Sequence, residues 1–157
     1  MTAKQERVVA HSVVPIDFTY NYRVGTYLEK YIQGLGQKKI LGMKCSGCGK
    51  VVVPPRKICG MCNLTMEEWV ELADVGTVEN YTVGHVRVDK GLLEKSDPPV
   101  MLALIKLDGA DALLAGEVRG LKPEELKNGL RVKAVWKDPA EDSLADLDHF
   151  EPAGKGG

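Results

Sequence analysis

Between Thr19 and Leu35 the apolar residues return every three or four positions: Tyr20, Val24, Tyr27, Leu28, Tyr31, Ile32 and Leu35. A stripe of that period predicts an amphipathic helix over 19–36, stopped by Gly34 and Gly36 and open to a break at Gly25. From Trp69 to Val88 the period changes to two, clearest through Val78, Tyr81, Val83, Val86 and Val88, with Gly76 and Gly84 as bends or bulges. Asp89-Lys90-Gly91 to Pro98-Pro99 reads as a polar loop, and Val100–Leu107 as a strongly apolar strand. Asp108-Gly109 signals a hairpin turn, after which Ala112–Val118 returns as a strand. Pro123-Glu124-Glu125 opens a short helix that Asn128-Gly129 closes, Leu130–Trp136 is a further strand, and Asp148–Glu151 suggests a last one. Three strands, a short helix and two strands is the order of an OB-fold barrel.

Ahead of the barrel, the pattern is broken by cysteines. Cys45, Cys48, Cys59 and Cys62 are the only four in the chain, arranged as two C-x-x-C pairs with ten residues between them. Each pair on a tight turn aims two thiolates at one point, and two such turns complete a tetrahedral sulfur site. Gly49 follows the first pair and Asn63 the second, and both residue types tolerate the left-handed backbone of a cysteine knuckle. Val51-Val52-Val53 and Pro54-Pro55 supply a short strand and a turn between them. Structural zinc, one ion per chain, is the expected occupant. Iron on the same four ligands is the alternative that ligand type alone does not separate. Two disulfides fit less well, because residues 1–11 are polar and unlike a signal peptide, so a reducing cytoplasm is the expected location.

The expected fold is therefore mainly β with an N-terminal helix, a rubredoxin-like zinc ribbon followed by an OB-fold β-barrel. The expected boundaries are an arm over 1–18, the helix over 19–36, the ribbon over 37–66, the barrel over 67–152 and a disordered tail over 153–157. Parts this small lead to the expectation that the metal contributes folding free energy directly to the ribbon.

Charge narrows the function. Twenty-one basic and 22 acidic residues give a formal net charge of -1, which argues against a protein that grips a polyanion over its whole surface. No apolar run approaches the ~20 residues of a membrane span. No nucleophile elbow, P-loop or dinucleotide fingerprint is present, and the cysteines are committed to metal. His11 and His149 fall in expected mobile end segments, and His85 reads as a solvated strand histidine. The local exception is a run of six bases without an acid, Lys38, Lys39, Lys44, Lys50, Arg56 and Lys57. These cations offset the formal -2 of a zinc tetrathiolate, or some of them hold the phosphates of a ligand or an acidic partner. A single-stranded nucleic-acid module is the competing class, weakened by an aromatic content of only 6%. The helix carries four of the five tyrosines, which either pack on their own domain or face a partner, with Tyr20, Tyr27 and Tyr31 the candidate contacts.

With these motifs in place, the chain resembles the acyl-CoA-associated zinc-ribbon/OB-fold family, once catalogued as a domain of unknown function. The resemblance is carried by Lys39-Ile40-Leu41-Gly42-Met43-Lys44-Cys45-Ser46-Gly47-Cys48-Gly49, Val53-Pro54-Pro55-Arg56 and Cys59-Gly60-Met61-Cys62. It continues through Trp69-Val70-Glu71-Leu72, Gly76-Thr77-Val78, Tyr81-Thr82-Val83, Pro99–Leu107 and Gly116–Val135, covering about residues 19–152. The tyrosine-bearing helix and Ile40-Leu41-Gly42 look closest to thiolase-associated members, such as the small subunit of benzoylsuccinyl-CoA thiolase. The resemblance implies a non-catalytic subunit of a thiolase-type acyl-CoA acyltransferase, forming a hetero-oligomer with a thiolase-like catalytic subunit. Partnership with an acyl-CoA aldolase or hydratase is the family's other mode. It also implies a CoA or acyl-CoA site shared with the partner, for which Lys44, Arg56 and Lys57 are the candidate phosphate contacts.

Overall fold

The computed structural model describes residues 22–89 and 92–154. The helix, α1, spans Thr26–Gly36, shorter than the apolar stripe. Gly25 sits at φ 80, a conformation a right-handed helix does not contain, and its carbonyl accepts the first helical bond from Glu29 N at 2.9 Å. Residues 22–25 lead in without helical structure, and 19–21 lie outside the described residues, as do the expected arm and Tyr20. The helix ends as Gln37, Lys38 and Lys39 fold their N–H groups back onto the carbonyls of Gly34 and Leu35, with Lys38 at φ 60.

Three antiparallel strands follow: β1 (Ile40–Lys44) in the middle, β2 (Val51–Val52) on one side and β3 (Glu68–Leu72) on the other. Met43 faces Val52 across one ladder and Trp69 across the other. The alternation starting at Trp69 is thus two strands belonging to two sheets. Residues 68–72 pair with β1 in the first sheet, and the barrel sheet begins at Val75. Alternation alone does not reveal which neighbour a strand pairs with.

The second sheet has the order β6-β5-β4-β7-β8, all antiparallel, from β4 (Val75–Asp89), β5 (Leu92–Leu107), β6 (Leu114–Glu117), β7 (Arg131–Trp136) and β8 (Leu147–Pro152). A parallel bridge between Val118 and Phe150 joins β6 to β8, and Arg119 N donates to Phe150 O at 2.8 Å, closing the barrel with OB-fold connectivity. The expected short helix before β7 is a single 3-10 turn, Pro123–Glu125, with Leu126 buried behind it. The expected polar loop before Val100 is instead strand: β5 already starts at Leu92 and pairs Glu94 and Lys95 with Arg87 and Val86. A register shift between Gly84 and Val86 leaves Ser96–Pro99 off the ladder, so the prolines fall where no ladder bond is required. His149, expected in a mobile end, lies on β8 with a side chain only 10% exposed.

Ribbon, helix and barrel all contribute to the larger of two buried clusters. Tyr31 and Leu35 of the helix, Ile40, Val53 and Leu72 of the ribbon, and Val78, Ile105, Val132 and Phe150 of the barrel belong to one buried cluster. The ribbon is also tied to the barrel by Asp111, whose carboxylate accepts from Val51 N at 2.8 Å while its own N–H donates to Val51 O at 2.8 Å.

The turn after β7 is organised by a buried carboxylate. Asp146, 1% exposed, accepts from Glu141 N at 2.8 Å and Ser143 N at 3.1 Å. The Glu141 N–H first, then the Ser143 N–H and the Lys137 charge, hold its acid below the ordinary carboxylate range. A carboxyl depressed in the fold contributes stability above its unfolded pKa of about 4 and loses it as pH falls through the folded value. Lowering the pH below about 4 should therefore loosen residues 137–147 in the wild type. Asp146→Asn should remove that share of the acid sensitivity, read as amide exchange in this segment against pH.

Candidate metal centre

Two knuckles of one design build the site. In the first, Cys45 N donates to Lys50 O at 2.9 Å and Gly49 N to Cys45 O at 2.8 Å; in the second, Cys59 N donates to Leu64 O at 2.9 Å and Asn63 N to Cys59 O at 2.9 Å. Each turn needs a left-handed residue four positions after its first cysteine, and Gly49 (φ 72) and Asn63 (φ 55) occupy those places as the sequence predicts. The four sulfurs lie within 4.8 Å of one another, and Cys48 Sγ is 3.8 Å from Cys59 Sγ. Tetrahedral zinc with Zn–S bonds of about 2.3 Å separates its sulfurs by about 3.8 Å. The donor set thus fits a closed tetrathiolate ion.

The sulfurs are unequally placed. Cys45 and Cys59 are buried, Cys62 is half-buried and Cys48 is exposed. The N–H groups of Cys62 and Met61 point at Cys59 and pull its thiol down to about 6. Cys62 is pushed up to about 12 by its hydrogen bond with Cys48, because four adjacent thiols cannot all ionise without a cation. A divalent ion removes that conflict.

A second, smaller apolar cluster supports the site: Met43, Cys45, Cys59 and Met66, flanked by Tyr27, Val52, Cys62 and Trp69. Tyr27 joins the helix to it, donating its hydroxyl to Met66 O at 3.2 Å and stacking on Trp69 at 5.9 Å. Lys30 Nζ lies over the Trp69 ring, 4.4 Å from its centroid. The sequence assigned no role at this joint to Trp69, Lys30 or Asp111, whose roles arise only when the helix and the β5–β6 connection come back to the ribbon.

The remaining candidates fall in different places. Tyr31 is 2% exposed and belongs to this chain's own core, so of the three candidate interface tyrosines only Tyr27 reaches the surface among the described residues, and only partly. Lys44 Nζ is 3.4 Å from Glu68 across the β1–β3 ladder, whereas the exposed side chains of Arg56 and Lys57 form no ion pair among the described residues.

A four-cysteine ribbon leading into a closed five-stranded barrel defines a rubredoxin-like zinc-ribbon protein with an OB domain. Residues 33–66 match the family described as "ChsH2, rubredoxin-like zinc ribbon domain" and residues 69–137 that described as "ChsH2, C-terminal OB-fold domain". A DUF35 domain-containing scaffold protein of Methanocaldococcus jannaschii is 36% identical over 104 residues, 66% of this chain and 71% of that one. Its counterpart in Pyrococcus furiosus is 31% identical over 63% of this chain and 69% of its own length. The crystal structure of a DUF35-family protein from Sulfolobus solfataricus superposes with a TM-score of 0.61 at 29% identity, covering 82% of this chain and 84% of that one. A chain of the Ltp2-ChsH2(DUF35) aldolase shares the fold, with a TM-score of 0.62 at 21% identity over 85% of this chain and 99% of its own. The chain belongs to the DUF35 family.

Proposed function

We propose that this chain is the non-catalytic, zinc-binding subunit of a thiolase-type acyl-CoA acyltransferase, docking on the catalytic subunit and helping to shape its CoA site. The observation that carries a docking role is the second knuckle. Its tip presents Ile58, Met61 and Leu64 at 42%, 75% and 46% exposure, apolar side chains on a turn that a bound metal would hold rigid. A rigid apolar tip is what a protein partner buries. The scaffold description of the archaeal relatives and the aldolase complex of the Ltp2-ChsH2 structure support a partner subunit in the same sense. Arg56 and Lys57, on the segment leading into that knuckle, are the cations free to meet CoA phosphates; Lys44 would have to release Glu68.

A specific feature weighs against the nucleic-acid reading. The groove on the outer barrel face, about 350 Å³, is lined by Asn80, Tyr81, Thr82, Leu102, Leu104 and neighbouring alanines, with no lysine or arginine. Strand binding needs cations along the groove as well as stacking rings.

The test is capture of the tagged chain from its native lysate with its partner. A stoichiometric thiolase-like subunit and one zinc per small chain are expected, with thiolysis in the complex and none in the small chain alone. Met61→Asp should weaken that complex by about tenfold or more, as loss of an interface anchor does, while keeping its metal. An aldolase or hydratase in the eluate would retain the subunit role and replace the enzyme class. RNA, or the small chain alone, would overturn the proposal.

A further inference from the structure

Tyr31 places a hydroxyl without a protein partner among the described residues at the seam of the fold. The residue is 2% exposed, yet its hydroxyl has no hydrogen-bond partner among the described residues, and burial pushes its phenol up to about 12. Among the described residues no buried side-chain nitrogen or oxygen lacks a partner, so this hydroxyl is one that the adjoining cavity leaves accessible. Tyr31 lines a half-enclosed cavity of about 180 Å³ where all three parts of the chain meet. Leu35 comes from the helix, Pro54 from the ribbon, and Leu114, Leu147 and Phe150 from the barrel. Seams of this kind are where small-molecule sites preferentially form.

The rim fixes the charge of what enters. Glu117 is held by Arg119 at 2.8 Å, and Asp148 by Arg119 at 3.3 Å. His149 lies between Asp148 at 2.9 Å and Glu151 at 3.1 Å. These groups satisfy one another, and their three carboxylates outnumber the one permanent cation, so an anion is disfavoured. Tyr31 alone has unmet hydrogen-bonding capacity. An apolar cavity of about 150 Å³ accommodates benzene; this one has room for a ring and one substituent.

We propose that the cavity is a binding site for an uncharged, single-ring or similarly sized apolar molecule bearing one hydroxyl or carbonyl, which pairs with the Tyr31 hydroxyl. The site is separate from the metal centre and does not depend on which enzyme the chain serves.

Phenol is a suitable probe, with benzene and benzoate as comparators, titrated into the metal-loaded full chain under amide NMR. Phenol should shift the amides of residues 31–35, 114–117 and 147–150 saturably, benzene more weakly, and benzoate not at all. Tyr31→Phe, which removes one oxygen, should lower phenol affinity about three- to tenfold and leave benzene unchanged. Leu144→Trp, at a cavity-lining position that is 54% exposed, should block both ligands. The proposal is overturned by absence of saturable shifts in the wild type, which would mean a hydrated cleft only. It is equally overturned by undiminished phenol binding in Tyr31→Phe, or by binding that persists in Leu144→Trp.

Discussion

Cys59→Ser should empty the metal centre and unfold the ribbon, taking metal content from about one ion per chain to near zero. Cys59 is 3% exposed, its sulfur receives the Met61 N–H, and its backbone closes the second knuckle onto Leu64. Structural zinc in small domains contributes about 10–16 kcal/mol of apparent binding free energy, comparable with the whole stability of an ordinary domain, about 5–15 kcal/mol. The loss should spread to the helix, because Met66 and Trp69, which Tyr27 holds, sit in the cluster around the sulfurs. A change in Trp69 emission, isolated in a Trp136→Phe background, should therefore accompany metal loss. Cys48→Ser should be milder, since that ligand is exposed and water can take its position. A Cys59→Ser protein with full metal content and wild-type melting would show that this sulfur is not a ligand.

Phe150→Ala should cost about 3–5 kcal/mol, the range for emptying a buried phenylalanine site, measured by urea denaturation of the metal-loaded protein. Phe150 is 0% exposed, lies opposite Ala134 in the β7–β8 ladder, bridges to Val118 and accepts the Arg119 N–H that closes the barrel. Helix, ribbon and barrel draw on one buried cluster, so the variant should unfold in a single transition at lower urea. Two separated transitions would mean that the ribbon and the barrel fold independently despite their shared core.

The chemistry-bearing part of this protein was legible in advance because it is local. A C-x-x-C turn and its left-handed residue lie within five positions of one another, so Cys45 to Gly49 and Cys59 to Asn63 announce their geometry without reference to the rest of the chain. Strand order in the barrel was legible for a similar reason: period-two alternation and turn residues are short-range signals. Tyr27, Tyr31 and Leu35 were readable as one helical face, but their period does not state what lies opposite.

What the tertiary structure decided was partnership. The stripe from Tyr20 to Leu35 continues past Gly25, yet the helix begins after it, because the backbone there turns to a positive φ. The alternation from Trp69 onward was divided between two sheets by cross-strand bonds to Met43 and Lys133. Ser96–Pro99 was kept within a strand by a register shift on its partner. Tyr31 could be assigned to the core, and its hydroxyl found unpaired, only after Pro54, Leu114 and Phe150 had come together from three parts of the chain. Side-chain types and spacings thus determined the metal site and the strand sequence by themselves. Shared burial and long-range pairing, which depend on residues dozens of positions apart, required the folded chain.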